Sequence, residues 1–154
     1  MKTLKFSVHI AAPREVVWNI MWGKESSKKW LSVLQEGTYA VTDWNEGSKI
    51  MFLSPNGDGM NSVIQRKIPN ELMSFKHLNV IKPGHDSSTS EQDPKWEGAA
   101  ENYYLHEEDG ITRLQVEIDT TEEYVKYFET AFPMALKKIK DLAEVPKGML
   151  VGGR

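Results

Sequence analysis

The sequence predicts an α+β fold in which a curved antiparallel sheet of about seven strands wraps one long C-terminal helix. Two patterns carry that expectation. Over 120–144, Tyr124, Phe128, Ala131, Phe132, Ala135, Leu136, Ile139 and Leu142 recur at three- and four-residue steps and form one apolar stripe, with Lys and Glu on the other face. Upstream, most segments alternate apolar with polar residues, the period of strands with one buried face. A stripe with aromatic residues in its first half and smaller aliphatics in its second needs a broad concave partner, which a curved sheet supplies.

The helix is expected to start at a capping box formed by Thr120 and Glu123 and to end before Pro146 and Gly148. Pro133 lies inside it and removes one backbone bond, at a cost of about 3 kcal/mol. The stripe stays in phase on both sides of the proline, so the spacing predicts a kink rather than a break. Wrapping around the sheet is its plainest purpose, and opening a cavity mouth the functional alternative.

The remaining elements follow in chain order. Phe6, Val8 and Ile10 alternate with Lys5, Ser7 and His9 in a first strand. Ala12-Pro13 breaks it and starts a short helix through Val16, Val17, Ile20 and Met21 that ends near Gly23. Ser26 or Ser27 is expected to cap a second short helix containing Trp30, Leu31 and Leu34, closed by Gly37. Residues 39–43 and 48–53 read as a hairpin turned by Asn45, Glu46 and Gly47. The next strand places Met60, Ser62, Ile64, Arg66 and Ile68 on one face. Pro69-Asn70 turns into a strand over 72–81. The polar segment 82–98 reads as a long loop, and 99–106 and 112–120 as the last two strands, with Leu114, Val116 and Ile118 facing in. Residues 146–154 are expected to form a flexible tail. No internal repeat or linker divides the chain, so 1–154 reads as a single domain with helices on one side of an antiparallel sheet.

Composition narrows the function classes. A chain of 154 residues buries roughly two-thirds of its unfolded surface, enough for one core with room for a cavity. Nineteen basic against 22 acidic residues give a net charge of −3 with no Lys/Arg cluster, which argues against nucleic acid. With no cysteine, disulfides, thiolate metal sites and cysteine nucleophiles are excluded. No apolar run has the length of a membrane span and the N-terminus alternates, so no membrane insertion is expected and the reading is cytoplasmic. His9, His77, His85 and His106 are scattered, and His85-Asp86 is too slight a pair to imply a metal. No phosphate-loop or nucleophile-elbow spacing occurs, and no cofactor is expected.

Particular residues add to the pattern: Ala12-Pro13 with Val16-Val17-Trp18, Trp30, Glu46-Gly47, Ile68-Pro69 with Glu71-Leu72 and Ser74-Phe75, Asp109-Gly110 with Thr112 and Leu114, and Ala135-Leu136-Lys137 with Ile139-Lys140. In this order and spacing the chain resembles the helix-grip (START-like, SRPBCC) superfamily, in the branch of homologues of the activator of the ninety-kilodalton heat-shock-protein ATPase. The motifs are strand ends, turns and core positions, not an active site. The resemblance implies a cavity between the sheet and the long helix, with lipid carriers, polyketide cyclases and co-chaperone domains as fold analogues.

Alternation estimates what faces such a cavity. If Leu105 faces in, so do Tyr103 and Glu101, with Tyr104 and His106 out. If Phe75 faces in, so does His77, on a hairpin neighbour across the long loop. The expected lining is Tyr39, Phe52, Met60, Phe75, Tyr103, Phe128 and Phe132, with Arg66, His77 and Glu101 as polar points. Met51, Met60, Met73 and Met134 read either as a pliable cavity lining or, the commoner use of Met, as core filling, and Trp18, Trp30 and Trp44 as core or wall. Trp96 and His85 give the 82–98 loop the character of a lid, against the plainer reading of a mobile connection. The leading expectation is a binding protein for a small, largely apolar molecule. One alternative is a co-chaperone-like module that regulates an ATPase through a protein partner. The other is a cyclase or hydrolase using His77 and Glu101, against the plainer reading that these two merely satisfy each other.

Overall fold

A computed structural model of the chain describes residues 1–84 and 91–145. Seven strands form one antiparallel sheet: β1 (Lys2–Ile10), β2 (Tyr39–Val41), β3 (Lys49–Leu53), β4 (Gly59–Ile68), β5 (Leu72–Ile81), β6 (Ala100–Glu108) and β7 (Ile111–Thr120). Their spatial order is β1-β7-β6-β5-β4-β3-β2. Every connection after β2 is therefore a hairpin between neighbours. Only the passage from β1 to β2 crosses the sheet, through helices α1 (Arg14–Trp22) and α2 (Ser26–Leu34), and helix α3 (Val125–Ala143) follows β7.

The alternation read from the sequence holds on β1, β6 and β7. Leu114, Val116 and Ile118 are buried, and the rows run Val8–Leu114–Leu105, Phe6–Val116–Tyr103 and Leu4–Ile118–Glu101 across the sheet. On α3, Ala131, Phe132, Ala135, Leu136 and Ile139 are buried. Phe132 stacks on Phe6 at 5.2 Å. Tyr124 and Met134 instead face outward, 41% and 59% exposed. Pro133 is also on the exposed face, so the carbonyl it leaves unpaired is open to water and the helix continues through it.

The helix starts differ from expectation. Thr120 is still paired with Lys2 in the sheet, and α3 begins only at Val125, too far along the chain for Thr120 to cap it. A 3₁₀ turn (Glu122–Tyr124) leads instead into α3, with no side-chain cap at either start. The helix runs to Ala143; Pro146, Gly148 and the predicted tail lie outside the described residues. Ser26 and Ser27 do not cap α2 either. Glu25 already has helical angles, and both hydroxyls donate to carbonyls of the preceding turn, Ser26 to Asn19 and Ser27 to Lys24. Gly37 sits three residues beyond Leu34 with φ +79°, where its N–H bonds the Ser32 hydroxyl.

The C-terminal end of α3 is tied to the end of β1. Glu144 accepts from the Ala11 N–H at 2.7 Å and from Lys140 at 2.5 Å, and Lys140 also donates to the His9 carbonyl. Helix α3 therefore runs parallel to β1. These contacts hold the Glu144 carboxyl below its ordinary value of 4.5, the Ala11 N–H contributing most.

Two stability predictions follow from this packing. Truncating Phe132 to Ala removes a fully buried ring and should cost about 3–5 kcal/mol in urea unfolding. Glu144→Gln should lose about 0.5–1 kcal/mol at neutral pH, a figure kept small by solvent exposure. Because the native value is depressed, that contribution is full above the ordinary carboxylate range and is lost as pH falls through the native value. The stability gap between wild type and Glu144→Gln, measured against pH, should therefore close in acid.

Candidate functional site

Two irregularities in one ladder build the site. From Ile68↔Leu72 to Arg66↔Ser74, β4 and β5 pair regularly. Between Ile64 and Arg66 the register then shifts, with Gln65 as the extra residue, and it shifts back between Asn61 and Ser62, with Leu78 extra on β5. Within the shifted segment Ser62 stands opposite His77 and Ile64 opposite Phe75. Without the two bulges His77 would face Val63.

The chain after β5 closes back on the same place. His77 N–H bonds the Ala99 carbonyl at 3.0 Å, and Asp93 N–H bonds that of Leu78 at 2.8 Å. The Asp93 carboxylate caps a short 3₁₀ turn (Pro94–Trp96) by accepting from Lys95 N–H. This turn delivers Trp96, 5% exposed, edge-on to the His77 ring at 6.2 Å. Phe75 then pairs with Glu101, and Met73 with Tyr103.

A continuous polar chain results. Ser62 Oγ lies 2.6 Å from His77 Nδ1, and His77 Nε2 lies 3.2 Å from Glu101 Oε1. The Tyr103 hydroxyl donates to Glu101 Oε2. The neutral imidazole that satisfies both of its contacts carries its proton on Nε2, donates to the carboxylate and accepts from Ser62. Burial, reinforced by the charge of Glu101, pushes the Tyr103 hydroxyl well above its ordinary value of 10.0, which keeps it a donor. Ser62 and His77 are closed off, whereas the Glu101 side chain remains 17% exposed.

Aromatic side chains wall this chain. Trp22 meets Tyr103 at 5.1 Å, Phe75 at 5.5 Å, Trp44 at 5.6 Å and Trp30 at 5.7 Å. Its own Nε1 is buried and has no acceptor among the described residues, while the Trp30 indole donates to the Met21 carbonyl. Phe52 packs on Phe75 at 5.3 Å. Toward the other end of β4 the face opens: Met60 is half-buried, and Val80, its cross-strand partner, is 40% exposed. Phe128, half-buried and one turn before Phe132, packs on the Phe132 ring at 5.6 Å.

Of the residues read as lining from the sequence, His77, Glu101, Phe75 and Tyr103 are brought together; Phe52 packs on Phe75 with Met60 as its cross-strand partner, while Phe132 stacks on Phe6 and Phe128 packs on Phe132. Arg66 and Tyr39 are not with them. The bulge at Gln65 breaks the alternation, so Gln65 and Arg66 are both exposed. On the edge strand β2, Ala40 is the partner of Phe52, which turns Tyr39 to the outer face, 37% exposed. Met134 is outward on α3 as well. Ser62 and Trp22 were not among the residues read as site. Ser62 was legible as inward, but its pairing with His77 depends on the bulges; Trp22 stands one helical turn after Trp18, whose ring it meets, and that spacing could have found it. His85 and Asp86 lie outside the described residues. Among the described residues no group of three or more His, Asp or Glu side chains is gathered as for a metal, and no helix is long and apolar enough to cross a membrane.

No protein-family model and no curated protein matches the sequence. Solved structures do match the fold. The chain superimposes on the Aha1 dimer protein of Colwellia psychrerythraea with a TM-score of 0.71 at 19% identity, over 96% of this chain and 100% of that one. The chain has the helix-grip, START-like fold. Protein MLL2253 of Mesorhizobium loti shares it with a TM-score of 0.70 at 16% identity, over 92% and 96% of the two chains. CalU16 of Micromonospora echinospora shares it at 0.64 and 18%, over 96% and 78%. At these identities the likeness is one of fold, and the polar chain inside this helix-grip sheet is described from its own residues.

The Ser62 contact is testable alone. Ser62→Ala leaves His77 Nδ1 buried without its partner and should cost about 1–3 kcal/mol in chemical denaturation. It should also shift the imidazole nitrogen resonances of His77, whereas Ser7→Ala, on the exposed face of β1, should change neither.

Proposed function

We propose that the protein binds a small, largely apolar molecule on the concave face between the sheet and α3, with the molecule's polar end at Glu101. One observation carries this reading. A carboxylate fixed by two interior donors remains partly open beside Phe75, its cross-strand partner, on whose ring Trp22 and Phe52 pack. A mostly apolar wall with a few converging polar groups is the usual composition of a small-molecule site. The half-buried Met60 and the exposed Val80 mark the open end through which such a molecule enters. Trp96, held against His77 by the turn after Asp93, closes the other side of the imidazole and serves as wall.

A second reading has its own support. The turn before α3 exposes Tyr124 by 41%, and the outward face of α3 exposes Tyr127 and Met134 by 48% and 59%. An apolar helix face of this kind suits a protein partner, as in a co-chaperone-like module acting on an ATPase, and one protein of similar fold is described as the Aha1 dimer.

The two readings separate in one screen of fatty acids, sterols, flavonoids and polyketide-like aromatics by thermal shift and amide chemical shift. Saturable binding is expected, with perturbations centred on Phe75, Tyr103 and the Trp22 indole. A ligand at a hundred times its Kd should add about 2.7 kcal/mol of stability. If none of these compounds binds, the small-molecule reading fails and the α3 face becomes the surface to test.

A further inference from the structure

Tyr39, turned away from the Glu101 site, lines a space of its own. A pocket of about 370 Å³ lies between α2 and the loop that enters β2, bounded by Lys28, Ser32, Gly37, Thr38 and Tyr39. Small-molecule sites usually measure about 300–1,000 Å³, so this one has the size for a small ligand. Local geometry builds it. Lys28 and Ser32 stand one turn apart on one face of α2. Gly37, with φ +79°, reverses the chain after the helix, and its N–H donates to Ser32 Oγ at 2.9 Å, which ties the loop to α2. A side chain there would be strained and would also collide with Pro55, since a Cβ would fall 2.4 Å from its Cγ.

The polar groups on this space are of one kind. Ser32 Oγ is occupied as an acceptor, and its own proton meets no acceptor among the described residues. The Lys28 ammonium has one contact, Glu25 at 3.5 Å, between side chains 48% and 76% exposed. Water screens such a pair, so an incoming anion can replace Glu25 at little cost. Thr38 adds no polar contact, because its hydroxyl is buried. No carboxylate lines the pocket. One positive charge and one free hydroxyl proton match the two oxygens of a monoanion, and the Tyr39 ring, 37% exposed, supplies a flat apolar wall.

We propose that this pocket binds a small aromatic carboxylate. One carboxylate oxygen accepts from Lys28, the other from the Ser32 hydroxyl, and the ring lies against Tyr39. The site is separate from the Glu101 carboxylate, whose charge would repel such a ligand, and it does not depend on the reading given above.

The test titrates benzoate, benzyl alcohol, benzylamine and acetate into the full chain and follows backbone amide shifts. Benzoate should shift Ser32, Gly37, Thr38 and Tyr39 saturably, with a Kd about tenfold below those of benzyl alcohol and acetate. Benzylamine should produce no saturable shift. Lys28→Gln, at an exposed position that does not threaten folding, should weaken benzoate about tenfold and leave benzyl alcohol unchanged. Lys29→Gln, next along α2 and outside the lining, should leave benzoate binding as in wild type. Equal benzoate affinity in wild type and Lys28→Gln, or benzylamine bound as tightly as benzoate, overturns the anion assignment. Acetate bound as tightly as benzoate overturns the place given to the ring, and benzoate without a saturable shift at these amides overturns the site.

Discussion

The packing of one ring, Trp22, holds the layers of this protein together. It sits at the last position of α1 and meets side chains from α2, from the turn before β3, and from β5 and β6: Trp30, Trp44, Phe75 and Tyr103. Three of the four contacts are edge-to-face, the arrangement that ring quadrupoles favour, each adding about 0.5–1.5 kcal/mol beyond the area it buries. The hub even sustains a backbone conformation that a bulky residue otherwise avoids. Trp44 has φ +65°, a placement costing about 1–3 kcal/mol, and its ring on Trp22 and the Lys67 ammonium on its carbonyl offset that cost. This cluster sets how α1 and α2 sit over β5 and β6, while α3 is held on β1 by Phe132 and Glu144.

Most of the fold was legible because it follows from period and from turns. Wherever a strand pairs regularly on both sides, as β6 and β7 do, a two-residue alternation names the inward set correctly. The same rule put His77 beside Phe75 and Glu101 beside Tyr103, and the β5–β6 pairing makes them neighbours. It failed where the physical basis of the rule is missing. In β4 the bulge at Gln65 displaces the phase, and Arg66 goes to solvent with its neighbour. In β2 a three-residue edge strand offers too little pattern to tell Tyr39 from Ala40. At Thr120 a local capping signal lost to a long-range one, because the residue is held in the β1 ladder. The stripe over 120–144 was read as one apolar face, although Tyr124, in the turn before α3, is exposed; Met134, read separately as lining, also faces outward.

The site was less legible than the fold for a related reason. A bulge is one residue of surplus in one strand, and nothing in the composition of β4 or β5 marks Gln65 or Leu78 as surplus. Its consequence is chemical. The two compensating shifts move Ser62 opposite His77, which fills the imidazole's second nitrogen and directs its N–H at Glu101. Gln65, pushed outward, spends its amide on the Ser74 hydroxyl, so the irregular stretch keeps its polar groups paired.

A buried polar chain of this kind is poorly explained as a device for stability alone. Taking a carboxylate out of water costs several kcal/mol, and donors such as His77 and Tyr103 restore at best a comparable amount. A row further along the sheet shows what it does where only packing is needed: Val8–Leu114–Leu105 is apolar throughout. Exchanging Ser62, His77 and Glu101 for residues like those would remove the desolvation cost and keep the volume filled. The chain is also asymmetric, sealed at the serine and open at the carboxylate, so its one charged member keeps part of its hydration. Closed support behind a single accessible acidic group is the arrangement expected where that group must meet something that is not part of the protein.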